Sequence, residues 1–257
     1  MIAPPASRFR GASRALDGAA RALCAASLSV AAGLEDFVLP QRCPGCGARA
    51  RAERLLCDGC LALAQPLAVP LCARCLARGD EPVGCVAHPG HAVWAGWVYD
   101  ERVALLVHAL KYGDRPGLAL ELSAVLARAL PGRPAAGVAP RFDLIVEVPL
   151  HGARRRERGY NQAAVLAECL ADRIGVPRLA EALERVRPTR PQARLGPAER
   201  RANLAGAFRA RRPAWLAGRN VLIVDDVLTT GATLEACFDA LSATGAHPTG
   251  VTLAWAQ

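Results

Sequence analysis

The amino-acid sequence predicts an α/β protein, a parallel sheet flanked by helices, with a small cysteine-rich module in front of it. Three observations carry this expectation. From residue 92 onward, short apolar runs alternate with segments of helical periodicity, the order that leaves a parallel sheet covered on both faces. Upstream, cysteines recur in C-x-x-C pairs with no long periodic element between them. A length of 257 residues at 52% hydrophobic content suffices for one good core and a smaller attachment.

Along the chain we expect a tail and helix over 1–40, the cysteine module over 41–91 and the main domain over 92–257. Ala22–Leu34 carries no charge, yet it is too short to span a bilayer and reads as an alanine-rich helix. Ala92–Tyr99 reads as a strand. Val103, Leu106, Val107 and Leu110 then recur at i, i+3, i+4 and i+7, the apolar face of a helix. A second helix follows over Leu118–Leu130, and the Pro/Gly-rich segment Pro131–Pro140 connects it onward. Next come a strand (Phe142–Val148), a basic loop (His151–Gly159), a helix (Asn161–Ile174), a strand-like segment (Arg178–Val186) and a long arginine-rich loop. The chain closes with strand Asn220–Val224, helix Leu234–Ala243 and strand Gly250–Ala254. Parallel sheets bind ligands at the carboxyl ends of their strands, so Val148–Arg158 and Asp225–Thr233 should share one rim.

A net charge of +9 favours acidic partners such as nucleic acid, nucleotides or pyrophosphate without selecting among them. Every basic residue except Lys111 is arginine, which reads as a compositional bias. The ten cysteines sit mostly at zinc-ligand spacing, which argues for a reducing compartment and a cytoplasmic protein without a transmembrane segment.

The segment Val221–Thr233 (VLIVDDVLTTGAT) runs from a buried-strand pattern into the first turn of an amphipathic helix. Backbone N–H groups of Thr229–Thr233, at the positive end of a helix dipole, can surround a phosphate, with threonine hydroxyls as further donors. Gly231 allows close approach of the backbone. Asp225 and Asp226 are costly side by side unless they bind something, and a ribose 2′,3′-diol offers two matching donors. The competing reading is a helix cap by Thr229 or Thr230 with a solvated acidic strand end.

Cys43-x-x-Cys46 and Cys57-x-x-Cys60 form two knuckles of a four-thiolate structural zinc site. Cys72-x-x-Cys75 opens a second set that Cys85 and His88 complete at the same spacing, with His91 as a competitor and interleaved pairing open. Cys24, Cys169 and Cys237 fall on expected helices and read as ordinary buried thiols.

The thirteen-residue segment resembles the phosphoribosyl-diphosphate (PRPP) signature of type I phosphoribosyltransferases. Together with the C-x-x-C block, His108–Gly113 (HALKYG), Val148–His151 (VPLH), Arg158–Gln162 (RGYNQ) and the run from Gln192 through Arg200, Arg201, Asn203, Leu204 and Phe208, it resembles the ComF competence-protein family. The resemblance implies a type I phosphoribosyltransferase fold with a double zinc ribbon, in which cysteine rather than His88 would close the second site. It further implies Asp225 and Asp226 on the ribose hydroxyls, Val227, Leu228, Thr229, Thr230, Gly231, Ala232 and Thr233 around the 5-phosphate, and Mg²⁺ on the pyrophosphate beside Pro149–Arg154. Lys111 and Arg154 are then catalytic cations beside the two acids, although Lys111 also reads as a solvated helix end and His108 as a packed helix residue. Single-stranded DNA and proteins of the DNA-uptake machinery are the implied partners, with Arg155, Arg156, Arg158, Arg200 and Arg201 as nucleic-acid contacts. Arg185–Arg212 holds nine arginines and one acid, Glu199, and suits either a lid over the site or a DNA surface.

Overall fold

A computed structural model describes residues 41–51, 54–63, 67, 70–78, 85–113, 116–130, 142–150, 156–187 and 196–257. The N-terminal tail and helix expected over 1–40, and Arg154 and Arg155, lie outside the described residues.

Apolar runs at the chain's strand positions form a five-stranded sheet in the order β1-β2-β7-β6-β3. Its strands are β1 (Leu71–Cys72), β2 (Ala92–Val98), β3 (Leu144–Glu147), β6 (Asn220–Leu228) and β7 (His247–Trp255). β2, β7, β6 and β3 are mutually parallel, and β1 alone joins antiparallel, pairing Leu71 with Val93. The sheet therefore crosses the expected boundary at residue 91, because the second half of the cysteine module supplies its edge strand.

Alternation along β6 divides the core. Leu222 and Val224 join one buried cluster with helices α2 (Glu101–Tyr112), α3 (Pro116–Ala129) and α4 (Gln162–Ile174), while Val221 and Ile223 join another with α7 (Ala232–Ser242). α2 and α4 start where the sequence supplies side-chain caps. Asp100 accepts from Val103 N at 2.8 Å and so opens α2, whose residues Val103, Leu106, Val107 and Leu110 are buried as their spacing requires. Asn161 caps α4, and Gly175, in the left-handed region at φ 70°, ends it. Burying one such leucine contributes roughly 1.5–3 kcal/mol, so the buried face of α2 is a substantial part of what holds that helix in the core cluster it joins.

Three expectations change. The strand-like segment Arg178–Val186 contributes only β4 (Leu183–Arg185), which leaves the main sheet and pairs antiparallel with β5 (Phe208–Ala210). The arginine-rich run expected as a loop contains β5 and a helix, α5 (Pro197–Leu204), and is followed by the short α6 (Pro213–Leu216). β6 continues four residues past Val224 to Leu228, so both aspartates sit inside the strand. A short helix, α1 (Asp58–Ala62), lies within the cysteine module. No helix among the described residues is long and apolar enough to cross a membrane.

Candidate functional site

β3 and β6 run parallel with Glu147 beside Val224, so the segments that leave their carboxyl ends share one rim, as the motif order requires. The two aspartates on that rim diverge. Asp226 is 7% exposed and turns toward α2 and α4, where its carboxylate takes Lys111 Nζ at 2.7 Å and Gln162 Nε2 at 3.1 Å. Val227 N also donates to it, at 2.7 Å. Lys111 is thus a buried carboxylate's cation rather than a solvated helix end.

Asp225 turns the other way. It lines one pocket with Val227, Leu228, Thr229, Gly231, Ala232 and Thr233. Burial, and next the Asp226 charge, push its carboxyl up to about 8, against the opposing pull of the Asp226 N–H and of Lys111. Its field reaches α7, where Cys237, already raised by burial, is raised further by Asp225. A donor pair or a cation placed in this pocket would return Asp225 to its ionised form.

α7 begins at Gly231, and no side chain caps it, so neither Thr229 nor Thr230 takes the capping role. The unsatisfied N–H groups of a helix start are the standard means of holding an anion. Gly231 has φ 75°, and a Cβ there would lie 1.7 Å from the carbonyl oxygen of Ala73. The glycine therefore admits the cysteine module's own backbone against the loop, a constraint that its place in the motif did not disclose.

The RGYNQ segment ties the rim together. Arg158 lies over the Tyr112 ring at 5.0 Å and donates to its hydroxyl at 3.1 Å. Tyr160 donates to the Leu110 carbonyl, Asn161 to the Val148 carbonyl at 3.0 Å, and Gln162 holds Asp226. Gln162 is a site residue that motif reading alone did not single out; its position just after the Asn161 cap was the available signal. His108 is exposed and stacks on Tyr112 at 4.9 Å, because it falls off the buried face of α2.

Two ligand quartets form as the spacing suggests. The sulfurs of Cys43, Cys46, Cys57 and Cys60 lie within 4.8 Å of one another, as do the ligand atoms of Cys72, Cys75, Cys85 and His88. His91 stands apart from the second set, with Nδ1 3.1 Å from the Pro89 carbonyl and its ring 5.9 Å from Phe238. Burial, and then hydrogen bonding from Cys46, Cys43 and Cys57, push the Cys60 thiol far up, so four thiolates at this spacing require a cation. Four soft ligands in a closed set fit Zn²⁺.

Residues 34–87 match the double zinc ribbon domain and residues 125–255 the phosphoribosyl transferase domain. DNA utilization protein YhgH of Salmonella typhi is 34% identical over 205 residues, spanning 79% of this chain and 85% of that one. Competence protein F of Haemophilus influenzae is 31% identical over 72% of this chain and 82% of its own. The chain belongs to the ComF competence-protein family. Competence protein ComFC of Bacillus subtilis shares 33% identity over 36% of this chain and 35% of its own length. The adenine phosphoribosyltransferase of Leishmania tarentolae, 12% identical, superposes with a TM-score of 0.36 over 60% of this chain and 75% of that one.

Within the ComF fold the arginines separate by role. Arg156 is exposed, and Arg158 is held on Tyr112. Arg201 pairs with Glu235 of α7 at 3.0 Å, so it braces the fold beside the phosphate loop. Arg200, its neighbour on α5, is half-buried. Of the two expected buried thiols within the described residues, Cys237 is buried and Cys169 half-buried. A roomier cavity of about 310 Å³ lies between Cys60, Trp97 and Leu106, but it holds none of the signature residues.

Proposed function

We propose that this ComF-family protein binds PRPP or a related phosphoribosyl compound together with Mg²⁺ on the rim between β6 and α7, and single-stranded DNA on its arginine-rich surface, in DNA uptake during natural transformation. The observation that supports it best is the pocket that joins Asp225 to Thr229, Gly231, Ala232 and Thr233 at the uncapped start of α7. The N–H groups of that start would hold the 5-phosphate, and Asp225 a ribose hydroxyl. Asp226, turned toward α2 and α4 and already held by Lys111 and Gln162, would fix the strand end beside the ribose rather than take the second hydroxyl. Arg154 and Lys111 would be the cations nearest the pyrophosphate, and Mg²⁺ bound with it would supply further neutralising charge.

The relatives are named for DNA utilization and competence, which favours a second reading in which the pocket binds without transferring. DNA-uptake proteins on the cytoplasmic side would then be its partners. Calorimetry with PRPP tests the pocket: binding that strengthens with Mg²⁺ supports the proposal, and no binding in either condition overturns it. Labelled PRPP with a panel of acceptor bases separates the two readings, since only a transferase releases pyrophosphate.

A further inference from the structure

We propose that the second metal quartet and its knuckle, with Arg74 and Arg201 as positioning residues, form one wall of the phosphate site and hold Thr229–Thr233 in its anion-binding shape. The proposal rests on reading that loop as a phosphate site.

The contact begins with the backbone. Cys72 ends β1, so the knuckle leaves directly from the edge of the main sheet, and Ala73 is fully buried in the cluster shared with α7. The Ala73 carbonyl occupies the space that a side chain at Gly231 would need, 1.7 Å from a Cβ built there. Gly231, in the left-handed region, is both a member of the loop and the N-cap of α7. The Ala73 N–H donates to the His91 carbonyl at 2.8 Å, and the His91 ring rests on Phe238 of α7. Loss of the quartet's shape would therefore remove the surface against which the loop turns.

Charge follows the same line. Glu235 sits in the first turn of α7, where a carboxylate competes with any phosphate for the positive end of the helix. Two guanidinium groups offset it: Arg74 Nε at 3.1 Å from one oxygen and Arg201 Nε at 3.0 Å from the other. Arg201 also donates to the Arg74 carbonyl and, at 3.4 Å, to the Thr230 carbonyl inside the loop. Arg74 lies between two ligands of the quartet, so metal loading sets its position. A ribbon of this size has little core of its own and folds with its metal, which makes the ion's binding energy available to the loop.

The first quartet is seated elsewhere. Cys43, Leu56 and Cys60 pack in the other core cluster, and Glu121 of α3 accepts from Leu55 N at 2.5 Å and Leu56 N at 2.9 Å. Coupling to the phosphate loop is thus specific to the second set. By reciprocity, a phosphate ligand should also retain zinc at that set.

Hydrogen exchange on the full zinc-loaded chain tests this without any ligand. Cys85→Ser should raise exchange across residues 229–235 by about tenfold or more, as expected when a local unit opens. Arg74→Ala should raise it a few-fold with both zinc ions retained, and it keeps the test alive if Cys85→Ser does not fold. Glu121→Ala, which loosens the first ribbon, should leave that segment unchanged. Wild-type protection in both Cys85→Ser and Arg74→Ala, or an equal rise in Glu121→Ala, overturns the coupling. In a second arm, PRPP should slow zinc loss from the second set to a chelator in the wild type and less so in Arg74→Ala. PRPP that binds the wild type and leaves zinc loss unchanged overturns the coupling. PRPP that binds no variant, with the exchange pattern present, overturns the phosphate reading and leaves the positioning role standing.

Discussion

The two sides of the β6 terminus carry the same residue type and opposite chemistry. On the side of α2 and α4, Asp226 is buried and fully engaged by Lys111, Gln162 and the Val227 N–H. On the side of α7, Asp225 meets no salt-bridge partner among the described residues and is pushed up to about 8 by burial and by Asp226. The first side is finished as folded. The second is an electrostatic debt that a ligand can settle, because a diol or a cation in the pocket favours the ionised carboxyl. Burial alone does not make a carboxylate functional; the difference lies in which neighbour has already been supplied.

The largest effect should come from breaking the finished side. Lys111→Met leaves Asp226 buried without its cation and should cost about 3 kcal/mol of stability, as for other buried pairs deprived of one member. Adding Asp226→Asn should restore much of that loss. Denaturation curves showing two additive losses would mean that the pair contributes nothing jointly.

On the open side, Gly231→Val combines a branched side chain at φ 75° with a collision against Ala73. PRPP affinity should fall by about a hundredfold or more, since the loop can no longer present its N–H groups. Calorimetry finding near-wild-type affinity would remove the loop from the site.

A subtler contrast lies in pH. The folded Asp225 carboxyl, at about 8, holds its proton where the unfolded one has released it. Its contribution to stability is therefore full below the unfolded value, near 4, and is lost as pH rises toward 8. Asp225→Asn should flatten that decline and leave the apo protein more stable at pH 7, while weakening PRPP binding. An unchanged slope of melting temperature against pH would show that Asp225 is ionised in the apo protein.

The smallest effect concerns DNA. Because Arg201 braces Glu235, reversing it would disturb the phosphate loop as well, and Arg200→Glu is the probe of a DNA surface that leaves that pair in place. Single-stranded DNA affinity should drop several-fold and the salt slope by about one, with PRPP affinity preserved. Lost PRPP binding with intact DNA binding would assign α5 to the pocket instead.

Much of this was legible in the sequence. The apolar run Val221–Val224, the periodic face Val103–Leu110 and the C-x-x-C spacing each express a local rule, so strand, helix and metal quartets follow from neighbours in the chain. α5 and β5 were not legible, because α5 is largely polar and β5 spans only three residues, too short for a period to show. The second quartet's histidine was also left open, since His88 keeps the x-x spacing but His91 competes three residues on, and only the fold carries His91 away toward Phe238.

By itself the sequence determined which residues are candidates for a phosphate, a ribose and two metal ions, because such candidacy resides in side-chain type and short spacing. Only the tertiary structure decided that Lys111 belongs to Asp226, that Asp225 is left for the pocket, and that Gly231 is small for the sake of Ala73. Each of those depends on segments far apart in the chain meeting at one strand end, and burial there fixes which charge is paired and which is not.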